Sequence, residues 1–564
     1  KEQPKPEEPP KEEPKPEEPP KEQPKPEEPP KEEPKKEEPK PEEPKSLQID
    51  LDGMMLRAFA LPVKPGSFSQ LCVNAGGQLI YARRGVRGTE DPPTIMLFDL
   101  ADESKSEKPV FGGANSFTIS ADGKKLLVAQ GKQLLLLDAA AGAKPAPVST
   151  SGMNVEIDPR QEWKQVFTDA WRIERDFFYD PQMHGVNWSA IRSQYESMLE
   201  DCASREDVGY VISEMISEMN VGHAYYRPGE SGRDQRPSAG LLGCEFVRDQ
   251  DAYKIARFYE GASWDLDARN PLRQAGVKEG EYLLAVNRVS LAMDRDPWAA
   301  LQGLSGQTVV LTVSSQPKSG PDERDVVITL LGSDMELRYR QWIERNRKYI
   351  EERTDGRVGY IYVPDTGTNG QNDLFRQFYG KINREALIID DRWNGGGQIP
   401  TRFIELLNRP VTNYWARRDG RDMTWPPDAH HGPKCMLING LAGSGGDMFP
   451  ALFRQANLGK LIGRRTWGGL VGISGNPGLI DGTTVTAPTF AYYEQDGTWG
   501  IEGHGVDPDI DVMDDPGKLA QGEEPQLDAA INHLLGELKE RPYTPPARPA
   551  YPDRSGFGIQ PDDR

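Results

Sequence analysis

The residue best suited to chemistry is Ser444, whose hydroxyl lies on a glycine-rich turn running from Asn439 to Asp447. An apolar run typical of a buried strand precedes the turn, and the apolar segment from Met448 to Phe453 after it is typical of a helix. A strand-to-helix turn holds a side chain clear of the sheet and leaves the next amides free to receive an anion. Ser444 is therefore a candidate nucleophile, although serine in such a turn also commonly serves as a helix cap.

A serine nucleophile needs a base within hydrogen-bond reach, and the chain has six histidines. His223 follows an amphipathic helical stretch that Gly222 closes, which puts it just past a helix end. Glu502 supplies a carboxylate that could orient the base, so three distant segments offer a nucleophile, a base and an acid. His504, close to Glu502 in the chain, is the alternative base.

A second glycine-rich segment, Asn394 to Gly397, follows the apolar run from Ala386 to Asp390. The apolar run predicts a buried strand. Consecutive glycines at the end of a strand let a substrate backbone lie against the protein backbone.

Together these segments resemble the catalytic half of the tricorn protease family, serine peptidases related to the C-terminal processing peptidases. The likeness runs from about Val155 to about Lys539 and includes the runs from Gly463 to Gly469 and from Leu479 to Thr483. The resemblance implies hydrolysis of peptide bonds in short peptides. No metal or other cofactor is expected. The resemblance also implies a homo-oligomer, which is a hexamer in the family.

Carried over by position, the resemblance makes Ser444 the nucleophile, His223 the general base and Glu502 the last member of a charge relay. It makes the amides of Gly445 and Gly397 the oxyanion donors. The glycines expected to bind the substrate backbone are Gly395, Gly396 and Gly397.

Gly222 departs from the family pattern, which has a serine directly before the histidine to link it to the glutamate. The link from His223 to Glu502 is therefore expected to be direct or through water. Losing an orienting hydrogen bond reduces activity, while an intact nucleophile, base and oxyanion hole retain much of the catalysis. A catalytically weakened peptide-binding scaffold is the alternative function.

One further feature of the family bears on substrate side-chain preference. The family uses an acidic residue upstream of the nucleophile to favour basic side chains. The corresponding stretch, Arg409 to Arg421, contains several arginines. The resemblance therefore does not predict a preference for basic side chains here.

Composition excludes several other classes of protein. The net charge is −20 with no basic stripe, which argues against nucleic acid as a partner. The four cysteines are isolated and are predicted to be free thiols. No apolar run is long enough to span a membrane and no signal peptide is visible, so a cytoplasmic protein is expected. A periplasmic location stays open because the chain begins at Lys1 without a methionine.

Other catalytic motifs do not fit. His430 and His431 are adjacent rather than spaced as zinc ligands, and no HExxH motif occurs, so no metal site is expected. Ala442 stands where the α/β-hydrolase elbow requires glycine. No Gly-Lys-Ser/Thr follows the glycine cluster, which disfavours a phosphate loop.

The sequence predicts a multidomain fold in which two regions precede the catalytic half. Residues 1–45 repeat a Lys/Glu/Pro unit with nothing but proline to bury, so they are expected to be disordered and to form an extended tether. Residues 46–150 contain two similar strand patterns, at Leu71 and Phe117, whose spacing suits the four-stranded blades of a partial β-propeller.

The remaining segments predict an α/β serine-peptidase core with two additions. Residues 151–236 form a helical subdomain carrying His223, and its predicted buried stripe is Trp163, Val166, Phe167, Ala170, Trp171, Ile173 and Phe177. Residues 237–333 resemble an inserted PDZ domain. Residues 334–541 alternate strands and helices and carry Ser444 and Glu502, and a proline-rich tail follows at 542–564.

The PDZ-like segment could bind an extended peptide as an added strand or serve only as a packing module. The carboxylate-binding loop of a PDZ domain would match Gly240, Leu241, Leu242 and Gly243.

Overall fold

The computed structural model describes residues 51–85, 92–229, 238–265, 268–291, 293–552 and 562. The repeat predicted at 1–45 and the end of the proline-rich tail lie outside these described residues. The chain divides into two compact units, Lys1–Val155 and Glu156–Arg564.

The first unit contains two four-stranded antiparallel sheets. Leu126 and Val128 of one sheet and Ile80 and Ile95 of the other are fully buried in one shared core. This arrangement is consistent with the partial propeller that the strand spacing predicts. The strands are β1 (Ser67–Val73), β2 (Leu79–Arg84), β3 (Thr94–Phe98), β4 (Lys108–Gly112), β5 (Ser116–Ile119), β6 (Lys125–Gln130), β7 (Gln133–Asp138) and β8 (Ala146–Pro147).

The second unit begins with three packed helices. They are α1 (Pro159–Phe177), α2 (Trp188–Glu196) and α3 (Arg205–Ser217), and the short strand β9 (Tyr225–Arg227) follows them. Asp158 caps the first helix, and Ser204 with Asp207 forms a capping box on the third. These caps fix where the helices start, and α3 ends a few residues before His223.

The predicted stripe of α1 is buried except at its two ends. Trp163 is half-buried against the core. Phe177 is exposed, so the prediction that it belongs to the core is wrong. The helix ends at Phe177. The backbone of Phe178 is extended, so the Phe178 ring is buried in place of the Phe177 ring.

The PDZ-like segment folds as predicted around an antiparallel sheet with the strand order β10-β11-β12-β14-β15, in which β13 pairs with β12. Its elements are β10 (Cys244–Asp249), β11 (Ala252–Phe258), α4 (Pro271–Gln274), β12 (Tyr282–Val286), β13 (Val289–Ser290), β14 (Thr308–Ser314) and β15 (Arg324–Thr329).

The α/β core is built on a parallel sheet with the strand order β16-β17-β20-β21-β23. The helices α5 and α10 cover one face of the sheet, while α6, α7 and α8 cover the other. The elements are α5 (Met335–Arg353), β16 (Val358–Tyr362), α6 (Thr368–Lys381), β17 (Ala386–Asp390), α7 (Thr401–Leu407), β18 (Asn413–Trp415), β19 (Met423–Trp425), β20 (Lys434–Ile438), α8 (Gly445–Gln455), β21 (Gly459–Gly463), β22 (Thr484–Thr486), β23 (Ile510–Asp511), α9 (Pro516–Ala520) and α10 (Pro525–Glu540).

Two small pairings complete the second unit. β18 and β19 form a hairpin, and β22 pairs antiparallel with β9. The second pairing ties the segment after His223 to the α/β core. Short 3-10 helices lie at Met54–Arg57, Met183–Gly185, Ser197–Glu200 and Pro297–Leu301.

All four cysteines are free. Among the described residues, no helix is long and apolar enough to cross a membrane. In the same part of the chain, no group of three or more His, Cys, Asp or Glu side chains could hold a metal ion. The histidine pair His430 and His431 instead stacks its rings.

Candidate catalytic site

Ser444 lies between a buried strand and a helix, as predicted. β20 ends at Ile438 and α8 begins at Gly445, so Ser444 closes the turn. Its φ of 58° and ψ of −116° lie in a region that strains a residue with a Cβ. The backbone amide of Ser444 donates a 2.7 Å hydrogen bond to Asp447 Oδ2, which holds the turn in this conformation.

The structure brings His223 to Ser444, with His223 Nε2 3.1 Å from Ser444 Oγ. Thr486 Oγ1 donates a 2.7 Å hydrogen bond to the His223 carbonyl, and the Trp467 ring stacks on the imidazole with 5.7 Å between centroids. His504, the alternative base, is instead 2.7 Å from Asp507 and exposed to solvent. His223 is therefore the histidine placed to take a proton from the serine.

Burial lowers the pKa of His223, while the negative charges of Glu502 and Asp447 oppose that shift. The net direction is downward, so the imidazole is neutral at pH 7. A neutral imidazole can accept the serine proton, which is the protonation state that a general base requires.

Glu502 lies beside the histidine segment but bonds to the backbone. Its Oε1 accepts from the Gly222 amide at 2.7 Å, and its Oε2 accepts from the amides of Leu470 and Val471 at 2.6 and 2.9 Å. Nδ1 of His223 is buried and has no hydrogen-bond partner among the described residues. The direct link from Glu502 to the imidazole, one of the two expected forms, is not formed in this structure.

Asp447 is the counterpart of Glu502 on the nucleophile side. It is fully buried, and besides the Ser444 amide it accepts from the amides of Gly468 and Gly469 at 2.8 and 3.2 Å. The two carboxylates thus hold four consecutive amides, those of residues 468–471. We call Asp447, Glu502 and residues 468–471 the carboxylate clamp.

Asp447 had no role in the sequence interpretation, although its position carries information. An acidic residue three positions after a serine at a helix start has capping-box spacing. Here the carboxylate accepts from the serine amide, as in such a box. Burial raises the pKa of Asp447, and its hydrogen bonds act in the opposite direction.

The glycine cluster packs directly against Ser444. Gly396 has a φ of +81°, and a Cβ added to it would lie 2.7 Å from Ser444 Cβ and 2.9 Å from the Gly443 carbonyl oxygen. The side chain and carbonyl of Asn394 accept from the amides of Gly396 and Gly443, which joins the two turns. A side chain at 396 would displace the serine. By contrast, a Cβ on Gly395 would meet open space.

The amides predicted as oxyanion donors lie next to each other. A Cβ built on Gly445 would be 3.1 Å from the Gly397 amide nitrogen. Gly445 is the first residue of α8, where amides have no partner within the helix. Neither amide donates to an acceptor among the described residues. Two donors beside Ser444 Oγ could receive a developing negative charge.

A buried polar network includes the residues directly before the glycine cluster, and the sequence did not predict this network. Asn394 donates to Asp391 at 2.7 Å, and both side chains are fully buried. Arg392 pairs with Asp390 at 2.7 Å and with Asp514 at 2.8 Å. Burial raises the pKa of Asp391 well above its usual value. Such a network fixes the turn that presents Gly396 and Gly397.

A cleft of about 850 Å³ opens over these groups. Its wall is largely apolar, and Ser444, His223, Gly395, Gly397 and Gly445 all line it. The other lining residues are Tyr225, Arg227, Asn394, Gln398, Ile399, Leu441, Gly443, Met448, Trp467, Leu470, Val471, Gly472, Ile473, Phe490, Ala491 and Tyr492.

The predicted carboxylate-binding loop of the PDZ-like domain is partly occupied by the domain itself. The Gly240 amide donates to the Leu301 carbonyl and the Leu241 amide to the Leu331 carbonyl, both at 2.8 Å. Leu242 is fully buried. A separate groove of about 620 Å³ lies between β10 and residues 293–298. Peptide binding by this domain stays a prediction.

Three family models match successive parts of the chain. The tricorn protease C1 domain matches residues 159–217, the tricorn protease PDZ domain matches 240–333, and peptidase family S41 matches 357–512. Their order agrees with the predicted helical, PDZ-like and catalytic segments. Such segments define a multidomain chain with a peptidase S41 core.

Individual relatives point to the same family. Tricorn protease homolog 1 of Streptomyces coelicolor is 33% identical over 89% of this chain and 48% of its own length. Tricorn protease of Thermoplasma acidophilum is 30% identical over 89% of this chain and 47% of its own. A crystal structure of the tricorn protease has a TM-score of 0.77 and 29% identity, covering 85% of this chain and 47% of that one.

Over most of its length the chain is similar to tricorn proteases, and it carries a segment that matches peptidase family S41. It spans about half the length of the curated relatives it matches.

Proposed function

We propose that this protein is a serine peptidase that hydrolyses peptide bonds in short peptides through Ser444, His223 and Glu502. The observation that carries the proposal is the 3.1 Å contact between His223 Nε2 and Ser444 Oγ at the base of an 850 Å³ cleft. The similarity to tricorn proteases and the match to peptidase family S41 support the same reaction class.

In the proposed mechanism, His223 takes the proton from Ser444 Oγ as that oxygen attacks the substrate carbonyl carbon. The amides of Gly445 and Gly397 donate to the oxyanion that forms, and the protonated His223 then gives its proton to the leaving amine. Water repeats the sequence on the acyl-enzyme and releases the second product.

Glu502 acts differently from the carboxylate of a simple triad. Because it accepts hydrogen bonds from three backbone amides, it fixes Gly222, Leu470 and Val471 rather than bonding to the imidazole. Its negative charge still favours the imidazolium that forms during the reaction, since it raises the pKa of His223.

The alternative of a peptide-binding scaffold is not favoured. A scaffold has no need of a base at hydrogen-bond distance from the serine or of two free amides beside it. We further propose a homo-oligomer, the hexamer expected from the family, and sedimentation velocity tests that assembly.

The direct test is hydrolysis of a mixed peptide library followed by mass spectrometry. The wild-type protein should cleave a subset of the peptides, and Ser444→Ala should abolish cleavage. Wild-type rates in Ser444→Ala would refute the proposed function. Tight peptide binding without turnover by the wild-type protein would favour the scaffold.

A further inference from the structure

Arg227 lines the cleft from a position just beyond the base. The side chains of β9 alternate, so Tyr225 and Arg227 face the cleft while Tyr226 packs on the helical core. The Tyr225 ring lies 6.0 Å from the His223 ring, which orders the three side chains along one wall as His223, Tyr225 and Arg227.

The Arg227 side chain has no counter-charge among the residues that the structure describes. The residue is exposed, and it makes no side-chain hydrogen bond or ion pair with any described residue. This is unusual in a chain with 88 acidic and 68 basic residues, where many other arginines are paired. An unpaired guanidinium in a cleft is available to a ligand.

The described part of the cleft offers no carboxylate to a cationic substrate. Among the described lining residues none is Asp or Glu, and Arg227 is the one side chain with a fixed charge. The apolar wall includes Ile399 and Leu441, which are 66% and 69% exposed while free of substrate. A lysine or arginine side chain bound here would lose water without gaining a carboxylate partner.

We propose that Arg227 is a specificity residue that pairs with a carboxylate of the substrate peptide, a few residues from the bond that Ser444 attacks. This inference rests on the proposed peptidase function. The apolar wall then receives the side chain next to that bond, and basic side chains are disfavoured in the cleft.

The spacing along the wall sets where the carboxylate must lie. Tyr225 and Arg227 are two residues apart on a strand, which is about 7 Å. The His223 ring lies a further 6.0 Å from the Tyr225 ring. An extended peptide covers such a distance in about three or four residues. Either an acidic side chain or the terminal carboxylate of a short peptide supplies the same chemistry at that distance.

The test uses matched peptides of one sequence with an apolar residue at the cleavage point. One pair differs only in a free or amidated C-terminus, and a second set carries Glu, Gln or Lys at successive positions on each side. Hydrolysis is measured as kcat/KM for the wild-type protein, Arg227→Gln and Arg227→Lys. The control is Arg418→Gln, because Arg418 has a 94% exposed side chain and does not line the cleft.

The wild-type protein should prefer one carboxylate-bearing peptide over its neutral match by about fivefold, the size expected for a partly exposed ion pair. The ratio should fall to about one in Arg227→Gln, stay partly in Arg227→Lys and be unchanged in Arg418→Gln. Loss of preference on amidation identifies the terminus as the source, while dependence on Glu identifies the side chain.

Equal rates for all peptides with the wild-type protein, a preference for Lys, or a ratio untouched by Arg227→Gln would each overturn the inference. Ser444→Ala separates this failure from failure of the proposed function. If it still cleaves, the peptidase mechanism is wrong. The same ratios are then read from peptide binding to Ser444→Ala by fluorescence anisotropy, where equal affinities overturn the role of Arg227.

Discussion

The Oε1 atom of Glu502 accepts a 2.7 Å hydrogen bond from the Gly222 amide, one residue before His223, whose imidazole contacts the Ser444 hydroxyl. The carboxylate therefore positions His223 through the backbone. It leaves His223 Nδ1 buried without a partner among the described residues. A polar side chain at position 222 could therefore supply the missing hydrogen-bond partner of His223 Nδ1.

Gly222→Ser should raise kcat by up to about tenfold with little change in KM, because a hydroxyl beside Glu502 can complete the hydrogen bonding of His223 Nδ1. Gly222 does not have a positive φ, so its backbone accepts a side chain. An added Cβ would lie 3.1 Å from Glu502 Oε1 and 3.0 Å from Gly469 Cα, so residues 468–471 must shift slightly to make room.

Gly222→Ala is the matched control, since it brings the same crowding without the hydroxyl. Steady-state peptide hydrolysis by the two variants separates the effects. Equal kcat in the Ser and Ala variants, together with a large loss in Glu502→Gln, would show that the clamp alone orients the base.

Asp447→Asn should lower kcat by about tenfold to a hundredfold and leave KM nearly unchanged. The carboxylate accepts from the Ser444, Gly468 and Gly469 amides, and hydrogen bonds to a charged group are the strong ones. The nucleophile turn should loosen when they weaken.

The same variant has a pH signature that a purely structural role lacks. The Asp447 charge favours protonated His223, so its removal lowers the pKa of His223 further. The acidic limb of the kcat/KM profile, which reports the pKa of His223, should therefore move to lower pH. An unchanged limb in a folded Asp447→Asn protein would mean that Asp447 does not act on the base.

Gly396→Ala should reduce kcat about a hundredfold or more while the protein stays folded. The new methyl group would stand 2.7 Å from Ser444 Cβ at a residue with positive φ, and a displacement of about 1 Å at a nucleophile costs that much. Gly395→Ala is the control, because its Cβ meets open space. Circular dichroism checks the fold, and equal activities of the two variants would contradict the close approach of the turns.

Glu174 predicts a pH dependence of stability outside the site. Its carboxyl group is fully buried in α1, neither oxygen has a partner among the described residues, and burial raises its pKa to about 8. Between about pH 5 and pH 8 the unfolded state releases a proton that the folded state keeps. This carboxyl group therefore lowers the free energy of unfolding by about 1.4 kcal/mol per pH unit as pH rises through that range.

Glu174→Gln should remove this slope, so the variant should be more stable than the wild-type protein at pH 8. Urea unfolding at pH 5, 6.5 and 8 measures the difference, with the exposed Glu200→Gln as control. Parallel pH dependences of the wild-type protein and Glu174→Gln would show that the buried carboxyl group does not titrate as described.

The sequence predicted elements best where one periodicity dominates. Ala386–Asp390 forms a strand with the predicted bounds, because an unbroken apolar run can be buried on both faces of a parallel sheet. The helix after Ser444 begins earlier than its apolar run, at Gly445, because a capping carboxylate sets the start rather than the apolar pattern. The prediction that Phe177 is buried was wrong because helical periodicity does not indicate where a helix ends.

The site residues fall into two groups for a similar reason. Ser444, His223 and the glycines carry local patterns, so the sequence and the resemblance could nominate them. The carboxylate clamp depends on backbone amides of residues 468–471 meeting Asp447 and Glu502, and no spacing in the sequence encodes that meeting. The sequence likewise could not predict that Glu502 bonds to backbone amides rather than to the imidazole.

Labelling with a fluorophosphonate, which reacts with an activated serine, followed by peptide mapping tests most directly whether Ser444 is the nucleophile. We expect one adduct at Ser444, none in Ser444→Ala, and labelling slowed about a hundredfold or more in His223→Gln. An adduct at another residue, or labelling of Ser444 at the wild-type rate in His223→Gln, would contradict the proposed mechanism.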